Sequence, residues 1–157
     1  MVERMEKHRL YLQKVVDKDL QNFCKSAINL WHPYGMFRGK YSIVILGDDV
    51  GFPYIILMFS PANPLVVQKL VPNINPNKCL FLRRILTLPP WQGSELPSMA
   101  LNPKTLFDFL PNISLIYSFV VEDHTGALYR HAGWKFSYMT QRGLQCVYIL
   151  RPPRSEK

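Results

Sequence analysis

The sequence lacks the marks of several large protein classes. Its three cysteines, Cys24, Cys79 and Cys146, are widely spaced and odd in number. That excludes a disulfide framework and a zinc knuckle, and leaves buried thiols. No apolar run reaches the ~20 residues of a membrane span, so no membrane partner is expected. The opening "MVERMEKHRL" is too charged for a secretory signal, which makes a cytoplasmic protein the expectation. Repeats and low-complexity tracts are missing. So are G-x-S-x-G, H-E-x-x-H, the P-loop and paired C-x-x-C. Acids are scarce: 11 Asp and Glu stand against 19 Lys and Arg, a net charge of +8. Beyond Gly126 the single acid is Glu156, against Arg130, Lys135, Arg142, Arg151, Arg154 and Lys157. This imbalance favours an anionic partner: nucleic acid, a phosphorylated cofactor or an acidic surface.

What is present suits one globular domain over 1–157. Hydrophobic residues make up 48% of the 157, enough for a core. Apolar residues at Leu12, Val16, Leu20, Phe23, Ala27 and Leu30 step by four and three, which predicts an amphipathic helix in an N-terminal helical region, 1–31. It should end before Pro33. "YSIVIL" and "FPYIILMF" flank the turn-rich "GDDVG" and read as a hairpin, with Pro53 at an edge or a strand start. "SPANPLVVQKLVPNINPNK" reads as a loop with one short helical turn. "CLFLRRILTL" is a strand candidate on which Arg83 and Arg84 should point to opposite faces. One of them then faces the more buried side and needs an internal ion pair or a ligand.

"PPWQGSELPS" reads as a loop, and "NPKTLFDFL" as a helix with Pro103 in its first turn. "SLIYSFVV" resembles a strand buried on both faces. Thr125 suits the N-cap of a short helix from Gly126 to about Ala132, closed by Gly133 as C-cap. "WKFSYMT" and "LQCVYIL" make a terminal hairpin, followed by a basic tail, 151–157. The whole is mixed α/β (α+β) with a central sheet.

Groups capable of chemistry gather at the breaks between elements, where sheets carry their sites. "WHPYG" holds His32 and Tyr34, and "FLRR" an arginine. "QGSELPS" holds Ser94 and Ser98. "EDHTGALYRHAGW" holds Glu122, Asp123, His124 and Tyr129. Read in this order, over about Leu30 to Tyr138, the segments resemble the Mom-type DNA modification proteins of bacteriophages, divergent members of the GNAT acyltransferase-like superfamily. "HTGALYRHAGW" is the most specific part.

The resemblance implies a GNAT-like fold, its mixed, mostly antiparallel sheet flanked by helices. It implies modification of adenine N6 in double-stranded DNA, of the carbamoylmethyl kind, protecting phage DNA from restriction in the host bacterial cytoplasm. It makes His32, Tyr34, Asp123, His124 and Tyr129 catalytic candidates, with Glu122 the alternative to Asp123. A tyrosine at the start of that helix can donate a proton to a leaving group.

Arg84, Ser94 and Ser98 become candidates for holding acetyl-CoA or another acyl or glycyl donor. "LPPWQGSELPS" has one glycine, and its prolines remove N–H donors, which points to a different donor or to one held mainly by Arg84 and the serines. Trp31 and Trp91 are candidates for stacking on an extruded base. Arg130, Lys135, Arg142, Arg151 and Arg154 would meet phosphates. His32, Tyr34, Asp123 and His124 are also residue types that could hold a non-haem iron. A conventional acyl-CoA-dependent N-acyltransferase on a small amine or protein is the first alternative. A non-catalytic nucleic-acid-binding or inhibitory protein is the second.

Overall fold

The computed structural model describes residues 9–120, 126–139 and 146–153. Seven strands form one sheet in the order β1-β2-β3-β4-β5-β7-β6. They are β1 (Tyr11–Lys14), β2 (Ser42–Gly47), β3 (Pro53–Pro61), β4 (Cys79–Thr87), β5 (Leu115–Val120), β6 (Lys135–Met139) and β7 (Cys146–Leu150). Every pairing is antiparallel except β4 with β5. Five α-helices accompany them: α1 (Lys18–Trp31), α2 (Pro64–Leu70), α3 (Leu96–Leu101), α4 (Pro103–Phe109) and α5 (Gly126–His131). No helix among the described residues is long and apolar enough to cross a membrane.

The apolar runs of β3 and β5 are buried because both faces of the sheet are covered. On one face Cys24, Ala27 and Ile28 of α1 pack on Ile45, Ile56 and Met58, and Val67 of α2 packs on Tyr117. On the other, Leu101, Leu106, Tyr129 and Trp134 pack on Leu57, Leu82 and Ile116.

The expected hairpin forms from β2 and β3, with Pro53 the first residue of its strand. The terminal hairpin, the buried β5 and the helix with Pro103 in its first turn also form as expected. Thr125 lies outside the described residues.

The first helix differs. Leu12 belongs to edge strand β1, opposite Leu46. The helical spacing runs across two elements because the Asp17 carboxylate accepts the Leu20 N–H at 2.9 Å and starts the helix at Lys18. Its buried side is therefore set by Cys24, Ala27 and Ile28, leaving Phe23 and Leu30 exposed. The expected short turn after β3 is a two-turn helix, α2, capped by Asn63. Part of the expected loop "PPWQGSELPS" is a 3-10 turn (Pro89–Trp91) and α3.

Candidate active-site cleft

Parallel β4 and β5 share register only over Cys79–Phe81 and Leu115–Tyr117, although β4 continues to Thr87 and β5 to Val120. Past that point the strands part. A cleft of about 660 Å³ opens in the gap, lined by Trp31, His32 and Tyr34 from the end of α1, by Arg83 and Arg84, by Ser118 and by Tyr129. Its size suits a small ligand.

The two arginines do not alternate as a regular strand requires. Met58 pairs with Arg84 and Phe59 with Leu82, so Arg83 is an extra residue in a β-bulge. Arg84 shares the face of its partner Met58, which is the α1 face. Both guanidinium carbons approach the Phe37 ring, at 4.3 Å from Arg83 and 5.1 Å from Arg84. Among the described residues no ion pair holds either of them. Among the described residues the one ion pair is Lys104–Asp108, on the surface. Arg84 is tied instead by Nε to the Gly35 carbonyl at 2.7 Å and by Nη1 to the Arg83 carbonyl at 2.9 Å.

His32 closes α1, and its Nδ1 accepts the Tyr34 N–H at 3.1 Å. Burial, with the charge of Arg84, pushes its pKa down to about 4. The ring is neutral at pH 7 with its proton on Nε2. It therefore offers the cleft a donor, and its basic lone pair is already engaged. The exposed Tyr34 ring lies 5.7 Å from the Arg84 guanidinium.

Tyr129 comes from the other face and reaches the same cleft through the strand gap. Gly133, at φ 101°, lets the chain close α5: Trp134 N–H bonds the Tyr129 carbonyl at 2.9 Å, and Gly133 N–H the Arg130 carbonyl at 3.1 Å. This cap sets Trp134 edge-on to Tyr129 at 4.9 Å between ring centres, while Tyr148 stacks on the ring at 5.8 Å. The ring is 2% exposed. Ser118 Oγ donates to the Leu82 carbonyl at 2.9 Å, so across the 3.1 Å contact with Tyr129 it is the tyrosine that donates. Burial pushes the Tyr129 pKa up to about 12. Sequence reading missed Ser118, and of the arginine pair it put only Arg84 at the site. The only signal for Ser118 was a small hydroxyl inside an otherwise apolar strand.

Other candidates sit elsewhere. Ser94 is exposed, and its Oγ donates to the Trp91 carbonyl at 2.6 Å and accepts the Leu96 N–H at 3.3 Å. Neither Ser94 nor Ser98 lines the cleft, although Gln92 of the same segment does. Trp91 packs against Tyr54 at 4.2 Å and Phe52 at 5.6 Å rather than facing the cleft. Trp31 is at the cleft, 43% exposed.

Arg130 donates to the Tyr148 hydroxyl at 2.6 Å, Lys135 is exposed, and Arg151 Nε donates to the Ser114 carbonyl at 3.1 Å. Asp123, His124, Arg142 and Arg154 lie outside the described residues, as does Glu122. Among the described residues no three His, Cys, Asp or Glu gather as a metal site. Two of the four residues nominated for iron fall outside that set.

No family model and no curated protein matches the sequence. Solved structures do. A GNAT-family acetyltransferase from Listeria monocytogenes superposes with a TM-score of 0.60 at 13% identity, over 90% of this chain and 94% of that one. An aminoglycoside acetyltransferase in complex with coenzyme A gives 0.62 at 14% identity, over 91% and 95%. The ribosomal-protein-S18-alanine N-acetyltransferase of Escherichia coli gives 0.57 at 16%, over 95% and 96%. This is the GNAT acetyltransferase fold.

The aminoglycoside acetyltransferase neighbour holds coenzyme A, whose diphosphate suits a helix N-terminus; the helix that follows β4 here is α3. The residues there fit a diphosphate only in part: among the described residues the N–H groups of Gly93, Glu95 and Ser98 have no partner. α3 has six residues and a proline in its first turn. The N–H groups of Gln92, Ser94 and Met99 bond to carbonyls of the same segment, and that of Leu96 to Ser94 Oγ. Glu95 occupies the N-cap, is exposed and makes no capping bond, so it adds a negative charge at the helix start.

Proposed function

We propose that the GNAT-like cleft transfers an acyl group from an activated donor to an amine. The observation that carries this is Tyr129: a phenol held protonated on the cleft floor, where two parallel strands part. That phenol can turn its O–H from Ser118 to the departing group as the amine attacks the acyl carbon, and regain a proton from the ammonium that the attack creates. His32, neutral and presenting Nε2–H, can orient the acyl oxygen or the acceptor. Two structural neighbours are named for amine acceptors, an aminoglycoside and a ribosomal-protein alanine. The α3 segment supports a donor gripped by its acyl arm more than by a diphosphate. The test offers acetyl-pantetheine and acetyl-CoA separately with a panel of amines, and weighs the products by mass spectrometry. An acetylated amine, lost in Tyr129→Phe, is the expected result. A folded protein that acetylates no amine with either donor refutes the reading.

A second reading keeps the same cleft and makes the acceptor the adenine N6 amino group of DNA, as the Mom-type resemblance implies. Half-exposed Trp31 at the cleft, beside a chain of net charge +8, favours it. Nucleosides from DNA co-expressed with the protein would then contain a new adenine derivative. Salt-sensitive DNA binding with no such derivative, unchanged in Tyr129→Phe, would instead indicate a non-catalytic binding protein.

A further inference from the structure

We propose that the β4 bulge is an oxyanion-binding site, at which Arg83 and Arg84 together receive a carboxylate or phosphate carried by the acceptor. The acceptor's part in this rests on the transfer reading above; the binding site itself does not.

Two consecutive arginines on a regular strand point apart. Here the bulge turns both toward the α1 face and one ring, Phe37. Arg84 is anchored by two backbone carbonyls, which fix its fork. Arg83 lies 4.3 Å over Phe37 and 5.5 Å from Phe81, and among the described residues its guanidinium donates to no protein acceptor. Contact with a ring engages the face of a guanidinium and leaves its in-plane N–H donors for a ligand.

No carboxylate is among the described residues that line the cleft, and none pairs with either arginine among the described residues. Two half-buried like charges side by side raise each other's energy, and burial and the neighbouring Arg83 both push the Arg84 pKa down. An oxyanion bridging them relieves both costs, with the bidentate geometry that guanidinium suits. Phe37 and Phe81 beside the forks favour an apolar body next to that charge.

Benzoate, phenyl phosphate and benzamide share a ring and differ in charge. Calorimetric titration of the full chain with each tests the site without any donor or turnover. At least one anion should bind about tenfold or more tighter than benzamide, the usual worth of a charge-assisted hydrogen bond. The ranking of benzoate against phenyl phosphate tells carboxylate from phosphate. Arg83→Gln should abolish the preference with little change in melting, since its guanidinium has no hydrogen bond to the protein among the described residues. Arg84→Lys, which keeps charge but loses the fork, should reduce it.

Equal binding of benzamide and both anions overturns the proposal, as does no measurable binding of either anion, or a preference undiminished in folded Arg83→Gln. Loss of duplex-DNA affinity in that variant, with neither small anion binding, moves the site from a small acceptor to nucleic acid. Transfer to neutral amines as fast as to anionic ones leaves the transfer reading standing and overturns the assignment of the site's anion to the acceptor. Arginine-dependent anion binding in a protein that transfers nothing does the reverse.

Discussion

On its α1 side the cleft gathers His32, Tyr34, Arg83 and Arg84, brought in by a helix end and a strand bulge. On its α3 side the chain offers prolines, an N-cap glutamate and N–H groups of which four, on Gln92, Ser94, Leu96 and Met99, are spent on their own segment. The α1 side is cationic and aromatic with open donors; the α3 side has an acid and fewer open donors. Tyr129 lies between them on the floor. A fold that keeps its strand gap and its buried phenol while rebuilding the segment after β4 separates two tasks: moving a proton and an acyl group, and gripping the far end of a donor.

The sharpest way to break that division is at the floor. Tyr129→Phe removes one hydroxyl and leaves the contacts with Trp134 and Tyr148 in place. Transfer should fall by roughly 10²–10⁴-fold with either donor, while stability drops by about 1 kcal/mol for the lost bond to Ser118. Steady-state rates and a denaturant melt check both. A loss confined to acetyl-CoA would put the hydroxyl on the donor-gripping side instead.

The α3 side gives a smaller effect. Glu95→Gln removes a charge and keeps the shape. Acetyl-CoA binding should tighten about two- to fivefold, the usual scale for one charge at a helix start, and acetyl-pantetheine, which has no diphosphate, should not respond. Titration at low salt reads the difference, because screening erases it at high salt. If neither ligand responds, the diphosphate does not meet this segment at all.

The two sides also differed in how far the sequence disclosed them. Proline and glycine act through the local backbone, so the weakness of "LPPWQGSELPS" as a phosphate cradle was legible. The same segment hid α3, which is too short for periodicity to register. The chemistry-bearing residues of "WHPYG" and "ALYRHAG" were legible because they stand at element ends. The bulge was not. A period of two places Arg83 and Arg84 on opposite faces, and only the register of β3 against β4 reveals the extra residue. Ser118 was hidden likewise, since its partner Leu82 is 36 positions away. Strand β1 was lost to a spacing that imitates a helix until Asp17 caps the real one.

His32 sharpens the α1 side through pH. Its pKa falls from 6.5 unfolded to about 4 folded. Above pH 6.5 both states hold a neutral ring and the site contributes no slope. Between 6.5 and about 4 the unfolded chain binds a proton that the folded chain refuses, so stability is lost as pH falls through that window. The half-exposed position limits the loss to less than about 2 kcal/mol after solvent screening. His32→Asn, whose side-chain oxygen can still accept the Tyr34 N–H, should flatten the profile in melts taken across the window. An unchanged slope would assign it to the carboxylates.

Arg151 touches neither side and supplies the smallest effect. Its guanidinium is exposed, yet Nε reaches the Ser114 carbonyl just ahead of β5. The side chain is therefore docked on the fold, not only free to meet DNA phosphates as its place in the basic tail suggested. Arg151→Ala should lower stability by about 0.5 kcal/mol, the low end for one exposed hydrogen bond, and leave the transfer rate unchanged. If the chain binds duplex DNA, the same change should lower the slope of log affinity against log salt by about one contact. A fall in transfer rate with both donors would mean that β5, and with it Ser118 under the Tyr129 hydroxyl, depends on this distant tie. The cleft floor would then be less independent of the rest of the sheet than its buried packing indicates.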